Sequence, residues 1–302
     1  MALSTLIYDQ HPDPGTAIHY NLSQAGFVSI SNFGIDSVLV NNVFAQSRRF
    51  FQTISDNSSD NQAIKQRCQY RTAAENFGYQ GLQQENLDPE APADFKETFT
   101  MRNIVKQCPP DDRWPSTVFK KTMLDFYQNA LTAAHNLQRC MAKQLHLPED
   151  YFVDVHTGEN VSLRLLHYPP SENMIQNQLG AGAHTDYGFM TLLFQDPVGG
   201  LQILDKSNQW LDVPPVKDSV VINSGDLLEV WTNGLYRSTL HRVKPVTQSR
   251  LSVAMFIDPD TDTVIEPLTS CISASRPKQF SKTTAGEHIQ RKLAASHKAR
   301  LN

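Results

Sequence analysis

Two histidines and an aspartate have the spacing expected of metal ligands. His184 and Asp186 are two residues apart just before a predicted strand, so in an extended chain both side chains point to the same side. His241 lies within a later predicted strand, and a folded barrel can bring it alongside the other two. Two imidazoles and one carboxylate leave about three positions of an octahedral metal open. The spacing therefore predicts a metal centre with room for further ligands.

A second pair of residues is suited to binding an acid beside this metal. Arg250 and Ser252 are again two residues apart on a predicted strand. A guanidinium holds a carboxylate through two parallel hydrogen bonds, and a neighbouring hydroxyl adds a third. The pair could thus hold the distal carboxylate of a dicarboxylic acid whose 2-oxo-carboxylate end chelates the metal. Open positions for a co-substrate and for dioxygen are typical of Fe(II) oxygenases with two histidines and one carboxylate.

The elements that must position these residues differ between the two halves of the chain. Residues 1–150 are predicted to be rich in helices, after a strand over residues 25–30. One helix begins at Asp36, which can cap it, and the strongest helical period covers residues 116–145. The polar stretch between these helices, residues 56–115, is predicted to be irregular.

From residue 161 onward the apolar period shortens towards two, which indicates strands. The predicted strands cover residues 163–168, 189–195, 201–204, 210–213, 219–223, 227–231, 238–243 and 251–257. About eight short strands separated by turn signals predict a sandwich or small barrel over residues 160–270, and no helical stretch interrupts them as a parallel βαβ sheet requires. A helical tail is predicted over residues 277–302. The expected fold class is α+β with a mainly β core, formed as one domain over residues 1–302.

Several motifs follow one another in a specific order along nearly the whole chain. They are residues 26–35, Gly78-Tyr79, Glu85-Asn86, residues 94–97, Leu166-His167-Tyr168-Pro169-Pro170, His184-Thr185-Asp186, residues 223–226, His241-Arg242-Val243 and Arg250-Leu251-Ser252. In this order the sequence resembles the isopenicillin N synthase-like family of Fe(II)/2-oxoglutarate-dependent oxygenases. The resemblance implies a double-stranded β-helix, or jelly roll, flanked by helices.

The resemblance also implies roles for individual residues. The implied Fe(II) ligands are His184, Asp186 and His241, and the implied 2-oxoglutarate contacts are Arg250, Ser252 and Tyr168. For the substrate pocket, the candidates are Phe256, Tyr79, Lys96 and Arg102. Lys96 and Arg102 could recognise an anionic substrate, although ion pairs with a purely structural role are the commoner use of such residues.

The activity implied by this resemblance is oxidation, in most cases hydroxylation, of an unactivated C–H bond in a small organic molecule. Fe(II), 2-oxoglutarate and O2 are the expected cofactors, with release of succinate and CO2. Two alternatives within the fold are an oxidase that does not use 2-oxoglutarate, and desaturation or ring closure in place of hydroxylation. A storage or binding jelly roll with a structural metal is a third alternative, but structural sites tend to be coordinatively closed.

Composition limits the class of protein and its partners. With 40% hydrophobic and 19% charged residues in 302, the chain is typical of globular proteins, which excludes the disordered and fibrous classes. The net charge of −4 gives no nucleic-acid footprint, and no apolar run reaches the ~20 residues of a membrane helix. The first arginine is Arg48, so neither a basic-headed signal peptide nor an Arg-rich transit peptide is predicted.

The cysteines point to a reducing compartment. The chain has four cysteines, which lie far apart and form no CxxC pair. They are expected to be reduced thiols in a cytoplasmic protein. A small-molecule substrate is expected, with no nucleic-acid or membrane partner. The sequence does not determine the oligomeric state and is compatible with a monomer.

Overall fold

A computed structural model describes residues 5–52 and 59–298. The helices are α1 (Pro14–Ala25), α2 (Ser37–Gln52), α3 (Ser59–Arg67), α4 (Thr117–Gln144), α5 (Asp226–Trp231) and α6 (Ala285–Lys298). The strands are β1 (Thr5–Ile7), β2 (Phe27–Ser31), β3 (Phe77–Gln80), β4 (Glu97–Arg102), β5 (Ser162–Tyr168), β6 (Ala181–His184), β7 (Met190–Gln195), β8 (Leu201–Leu204), β9 (Trp210–Asp212), β10 (Ser219–Ser224), β11 (His241–Val243), β12 (Arg250–Ile257), β13 (Val264–Ile265) and β14 (Thr283–Thr284). None of the helices in these ranges is long and apolar enough to span a bilayer.

Two sheets form the core of the chain. The larger has eight strands in the order β1-β2-β10-β7-β12-β5-β4-β3, antiparallel except for the pair β1 and β2. The smaller has four strands in the order β6-β11-β8-β9. Tyr168 and Ala254 of the larger sheet share one apolar cluster with Ala181 and Val243 of the smaller sheet, so the sheets pack face to face. This double layer with its flanking helices confirms the predicted jelly roll.

The helices of the first half cover the outer face of the larger sheet. The predicted helices are confirmed as α2 and α4, and both begin where a side chain caps them. Asp36 accepts a hydrogen bond from the Val38 backbone N–H at 2.8 Å. Ser116 accepts one from the Phe119 backbone N–H at 3.1 Å, which satisfies an amide that the first turn leaves free. Burial of the apolar stripe of α4 against the sheet then holds that helix in place.

The predicted strand at residues 227–231 is wrong, because this segment forms helix α5. The apolar run is too short for its period to distinguish a buried strand from one turn or two of helix. The local cause lies at Gly225, which is extended and precedes the helix. A Cβ at Gly225 would lie 2.3 Å from the carbonyl oxygen of Gly188, so only glycine permits this approach of the two segments. The next predicted strand, residues 238–243, is also shorter than expected and is limited to His241–Val243.

The prediction of irregular structure over residues 56–115 is also wrong for the described part of that stretch. It contains α3, β3 and β4, and β4 lies inside the edge strand β3 of the larger sheet, paired with both β3 and β5. Phe99 and Met101 of β4 alternate with polar residues as in other strands, but this alternation covers only six residues within a long polar stretch. Residues 56–58 lie outside the described residues. The predicted helical tail over residues 277–302 is confirmed only from Ala285, where α6 begins; residues 277–284 are not helical and include β14, and residues 299–302 lie outside the described residues.

Candidate metal centre and active site

The three predicted metal ligands converge at one point between the sheets. His184 at the end of β6 is directly opposite His241 of β11, and their ring centroids are 4.3 Å apart. Asp186 Oδ1 lies 3.8 Å from His184 Nε2 and 3.7 Å from His241 Nε2. An ion about 2.1 Å from each ligand can bridge atoms up to about 4.2 Å apart, so these distances suit a shared cation.

Both imidazoles are oriented as metal ligands by their second nitrogen. His184 Nδ1 donates to the Gly182 carbonyl oxygen at 2.7 Å, and His241 Nδ1 donates to the Thr239 carbonyl oxygen at 3.1 Å. This places the proton on Nδ1 and leaves the Nε2 lone pairs directed at the shared point. Burial, together with the neighbouring His241, lowers the pKa of His184 to about 3. His184 is therefore neutral near pH 7, which is the form that binds a metal.

The carboxylate of Asp186 is fixed by two residues of the larger sheet. Its Oδ2 accepts a hydrogen bond from the Thr191 hydroxyl at 2.5 Å and another from Asn223 Nδ2 at 2.6 Å. Burial acts to raise the pKa of Asp186, but the two imidazoles and these two hydrogen bonds hold it below its usual value. Oδ1 stays available for a metal. Neither partner was predicted from the sequence, although Asn223 belongs to the motif over residues 223–226.

Arg250 is a buried cation that pairs with no carboxylate among the described residues. It is 1% exposed, and its guanidinium donates to Ser252 Oγ at 3.3 Å and to Gln195 Oε1 at 3.1 Å. The Tyr168 ring lies 4.7 Å from the guanidinium carbon. Arg250 Nε and Gln195 Nε2 are buried with no hydrogen-bond partner among the described residues. Because a buried charge is costly unless it is paired, this pocket requires a bound anion such as a carboxylate.

Two of the four substrate-pocket candidates share the interior face near the metal centre. Phe256 of β12 is directly opposite Thr191, which binds Asp186, and on its other side it is opposite Ser162 of β5. Arg102 of β4 is in turn opposite Ser162, so it lies in the same row two strands from Phe256. Both residues therefore lie at the level of the metal ligands.

Lys96 also faces the interior, but its charge is already paired. Its Nζ lies 2.6 Å from Asp94 Oδ2 and 3.6 Å from Glu85 Oε2, and the residue is 3% exposed. Asp94 in turn accepts from the backbone N–H of Gly182, two residues before His184. Lys96 thus supports the strand that carries His184 rather than presenting a free ammonium group.

The structure does not bring Tyr79 to this face of the sheet. Tyr79 is opposite Phe99, and its ring packs 5.8 Å from that of Phe50 on the outer, helix-covered side. Its hydroxyl donates to Glu97 Oε2 at 2.5 Å. The prediction that Tyr79 lines the substrate pocket is therefore wrong. Side chains alternate across a strand, so residues one position apart lie on opposite faces, and Tyr79 lies on the outer face. His167 also lies on the outer side, as alternation predicts, with Nδ1 2.6 Å from Glu97 Oε1.

Comparison with known proteins agrees with this geometry. Residues 159–259 match the 2OG-Fe(II) oxygenase superfamily, and residues 2–120 match the family described as non-haem dioxygenase in morphine synthesis N-terminal. A homoarginine-6-hydroxylase of Glycine max is 32% identical over 290 residues, which cover 90% of this chain and 85% of that protein. The chain belongs to the 2OG-Fe(II) oxygenase superfamily. Its enzyme class is that of the 2-oxoglutarate-dependent dioxygenases.

Other relatives of this oxygenase include hydroxylases and oxidases. A 1-aminocyclopropane-1-carboxylate oxidase of Solanum lycopersicum is 33% identical over 285 residues, covering 88% of this chain and 83% of that protein. Among solved structures, a full-length Neurospora crassa protein in complex with alpha-KG and thymine has a TM-score of 0.83 at 29% identity, with 97% of each chain covered.

Ferrous iron and 2-oxoglutarate are the cofactor and co-substrate of the superfamily, and the residues of this oxygenase fit both. His184, Asp186 and His241 offer three metal-directed atoms and leave about half of an octahedral shell open. The buried Arg250 supplies a cation whose hydrogen bonds among the described residues go to neutral groups and not to a carboxylate. Together they can hold a metal and a dicarboxylic acid side by side.

Proposed function

We propose that this oxygenase hydroxylates an unactivated C–H bond of a small organic molecule and converts 2-oxoglutarate into succinate and CO2. The observation that carries the proposal is the pairing of two features inside one barrel. Three ligand atoms converge within 4.8 Å of one another, and a buried arginine beside them has no counter-ion among the described residues. The hydroxylases among its relatives support this choice of reaction.

In this proposal His184, Asp186 and His241 hold the ferrous ion. Iron, when bound with 2-oxoglutarate and O2, supplies the oxidising power for the C–H bond, so the protein needs no acid–base pair of its own. The side chains keep the ion in place: Thr191 and Asn223 fix the carboxylate, and backbone carbonyls fix both rings. Asp186 and His241 are buried and His184 is half-buried, which limits the contact of these groups with bulk water.

Arg250, Ser252 and Tyr168 are proposed to bind 2-oxoglutarate. Arg250 would pair with the distal carboxylate, and Ser252, which is 1% exposed, already lies within hydrogen-bond distance of the guanidinium. Tyr168 covers the guanidinium with its ring and lies in the same row of the sheet as Arg250. Its hydroxyl is the proposed additional contact to the co-substrate.

Further features of the protein are proposed, each on a separate observation. Phe256 and Arg102 are the proposed substrate contacts, because both lie on the interior face near the metal ligands. The motif order supports placement in the isopenicillin N synthase-like group. Four free cysteines support a cytoplasmic location. We further propose that the 302 residues act as a single oxygenase domain on a small molecule, without a nucleic-acid or membrane partner.

The test is succinate release by the purified protein with Fe(II), 2-oxoglutarate and a panel of small molecules. Activity should require both additions, and His184→Ala should abolish it because a ligand is lost. His11→Ala is the matched control, since His11 is exposed and its ring contacts only the backbone N–H of Asp13. Unimpaired turnover in His184→Ala would refute the metal assignment. Substrate oxidation without 2-oxoglutarate would instead establish the oxidase alternative, which the aminocyclopropane-carboxylate oxidase relative makes the second candidate.

A further inference from the structure

The interior face beside the metal centre carries more charge than the proposed reaction uses. Lys96 is neutralised by Asp94 at 2.6 Å, and Arg164 is neutralised by Glu85 at 2.6 Å. Arg164 also donates to two threonine hydroxyls of β4. These two pairs are complete, so neither cation is available to a substrate. Two other charged groups on this face remain.

Arg102 is the first of these groups. Its guanidinium donates to the Glu159 carbonyl oxygen at 3.3 Å and to the side-chain oxygen of Asn160, both of which are neutral. No carboxylate pairs with Arg102 among the described residues. Asn160 in turn donates to the Pro259 carbonyl oxygen at 2.7 Å, which ties Arg102 to the end of β12.

Asp258 is the second group, and it follows directly after β12 on the side of Phe256. Its Oδ1 accepts from the Phe189 backbone N–H at 3.3 Å. The carboxylate packs closely against Gly188, since a Cβ there would be 1.4 Å from Oδ1. No cation pairs with Asp258 in the described part of the chain, and its Oδ2 has no hydrogen bond there. Burial and the nearby charge of Asp186 raise the pKa of Asp258 to about 7, although the Phe189 N–H and the charge of Arg102 act in the opposite direction.

The two groups flank the place where a substrate must lie to reach the metal. Arg102 and Phe256 occupy one row of the larger sheet, opposite Ser162. Asp258 lies two residues beyond Phe256, directly after the end of β12. Strands are about 4.8 Å apart and alternate residues about 7 Å apart, so the Cα atoms of Arg102 and Asp258 are roughly 12 Å from each other. Because the Arg102 side chain is long, the distance between its guanidinium and the Asp258 carboxylate is shorter than the Cα distance and is comparable to the length of a small molecule.

We infer that Arg102 and Asp258 determine substrate specificity, and that the substrate carries an oxygen acceptor for Arg102 and an N–H donor for Asp258. The inference rests on the proposed function, because it places the substrate beside the metal centre. The shared chemistry occurs in two kinds of molecule, zwitterionic amino acids and cyclic ureides such as pyrimidines. Phe256 lies between the two groups and offers its ring to the body of either molecule.

Four probes separate these possibilities. L-homoarginine carries a carboxylate and cationic N–H groups, and thymine carries carbonyl and neutral N–H groups. In 1,3-dimethylthymine the N–H groups are blocked, and cyclohexanecarboxylate has an acceptor only. We expect succinate release to be stimulated by homoarginine or by thymine, and not by the two probes that lack N–H. Stimulation by homoarginine alone indicates the amino-acid class, and stimulation by thymine alone indicates the ureide class.

The decisive variants are Asp258→Asn and Arg102→Gln. Asparagine keeps an oxygen for the Phe189 N–H and removes only the charge, so the fold is retained. For the stimulating probe, each variant should lower kcat/KM by about tenfold or more, since a charge-assisted hydrogen bond becomes a neutral one or is lost. Asp260→Asn is the matched control, because that carboxylate bonds only to Thr157 and to backbone.

Probe affinity is measured in parallel by calorimetry on protein loaded with Zn(II) and 2-oxoglutarate. This binding needs no turnover, so it tests the two residues even if the proposed reaction fails. A weaker affinity in both variants, with Asp260→Asn unchanged, supports the inference. It is overturned if only probes without N–H bind or stimulate, or if Asp258→Asn binds homoarginine and thymine as the wild type does.

Discussion

Replacement of Arg250 by methionine distinguishes a buried charge that binds a ligand from one that stabilises the fold. Arg250 is 1% exposed, and among the described residues its guanidinium donates only to the neutral side chains of Ser252 and Gln195. Removal of a buried charge that lacks a counter-ion should leave the unfolding free energy of the apoprotein unchanged or raise it by about 1–2 kcal/mol. A charge that stabilised the fold would instead lower it by about 3 kcal/mol when removed.

The same substitution should greatly weaken binding of 2-oxoglutarate. A hydrogen bond to a charged group contributes about 1.5–3 kcal/mol, and a guanidinium can give two to one carboxylate. Loss of about 3 kcal/mol corresponds to an affinity roughly 100-fold weaker. Arg250→Lys keeps the charge without the planar fork, so its affinity should fall between those of the wild type and Arg250→Met.

Two measurements check this prediction. Calorimetric titration of 2-oxoglutarate into Zn(II)-loaded protein gives the affinity, and urea unfolding of the metal-free proteins gives the stability. Metal affinity serves as the control and should change by less than about twofold, since Arg250 is not one of the three metal-directed residues. The reasoning is refuted if Arg250→Met binds 2-oxoglutarate as tightly as the wild type, or if it loses several kcal/mol of stability at unchanged affinity.

Three further predictions concern metal binding, the pH dependence of stability and the reactivity of the cysteines. Thr191→Val and Asn223→Ala should each weaken metal binding about 10- to 100-fold by freeing the Asp186 carboxylate; unchanged metal titrations would contradict this. Burial acts to raise the pKa of Glu97, but the His167 hydrogen bond, the Lys65 charge and the Tyr79 hydrogen bond hold it below its usual value of 4.5. Because the folded pKa is the lower one, its stabilisation is present above about pH 4.5 and lost as the pH falls further. Glu97→Gln should therefore cost about 3 kcal/mol in urea unfolding at pH 7 and much less near pH 3; an equal cost at both would contradict the assignment. The exposed Cys108 should react with a thiol reagent in the folded protein, whereas Cys68 and Cys271 should react only after unfolding, and a mass spectrum of the labelled peptides tests this.

Local patterns in the sequence were sufficient to place the metal ligands. His184 and Asp186 share a face because they are two residues apart, and this spacing needs no knowledge of the rest of the fold. The approach of His241 depends on strand pairing, which the spacing alone does not predict. The order of the motifs along the chain supplied that prediction. The structure pairs it directly with His184. Arg250 and Ser252 were found in the same way, and their hydrogen bond confirms that they share a face.

The parts that were not predicted depend on contacts distant in sequence. Strand β4 was missed although Phe99 and Met101 alternate with polar residues, because the strand is only six residues long and lies within a long polar stretch. Asp258 gave no signal, since a single carboxylate after a strand is commonly a turn residue. Only the pairing of β12 with β7 shows that it lies over Gly188, close to the metal ligands.

The three metal-directed residues also connect the two sheets. His184 and His241 belong to the smaller sheet, and Asp186 is hydrogen-bonded to Thr191 and Asn223 of the larger one. An ion held between them is therefore a non-covalent cross-link across the open end of the jelly roll. Binding to the native state alone shifts the folding equilibrium by mass action. Chains without a bound ion should therefore unfold, and be cleaved by proteases, more readily than chains that hold one.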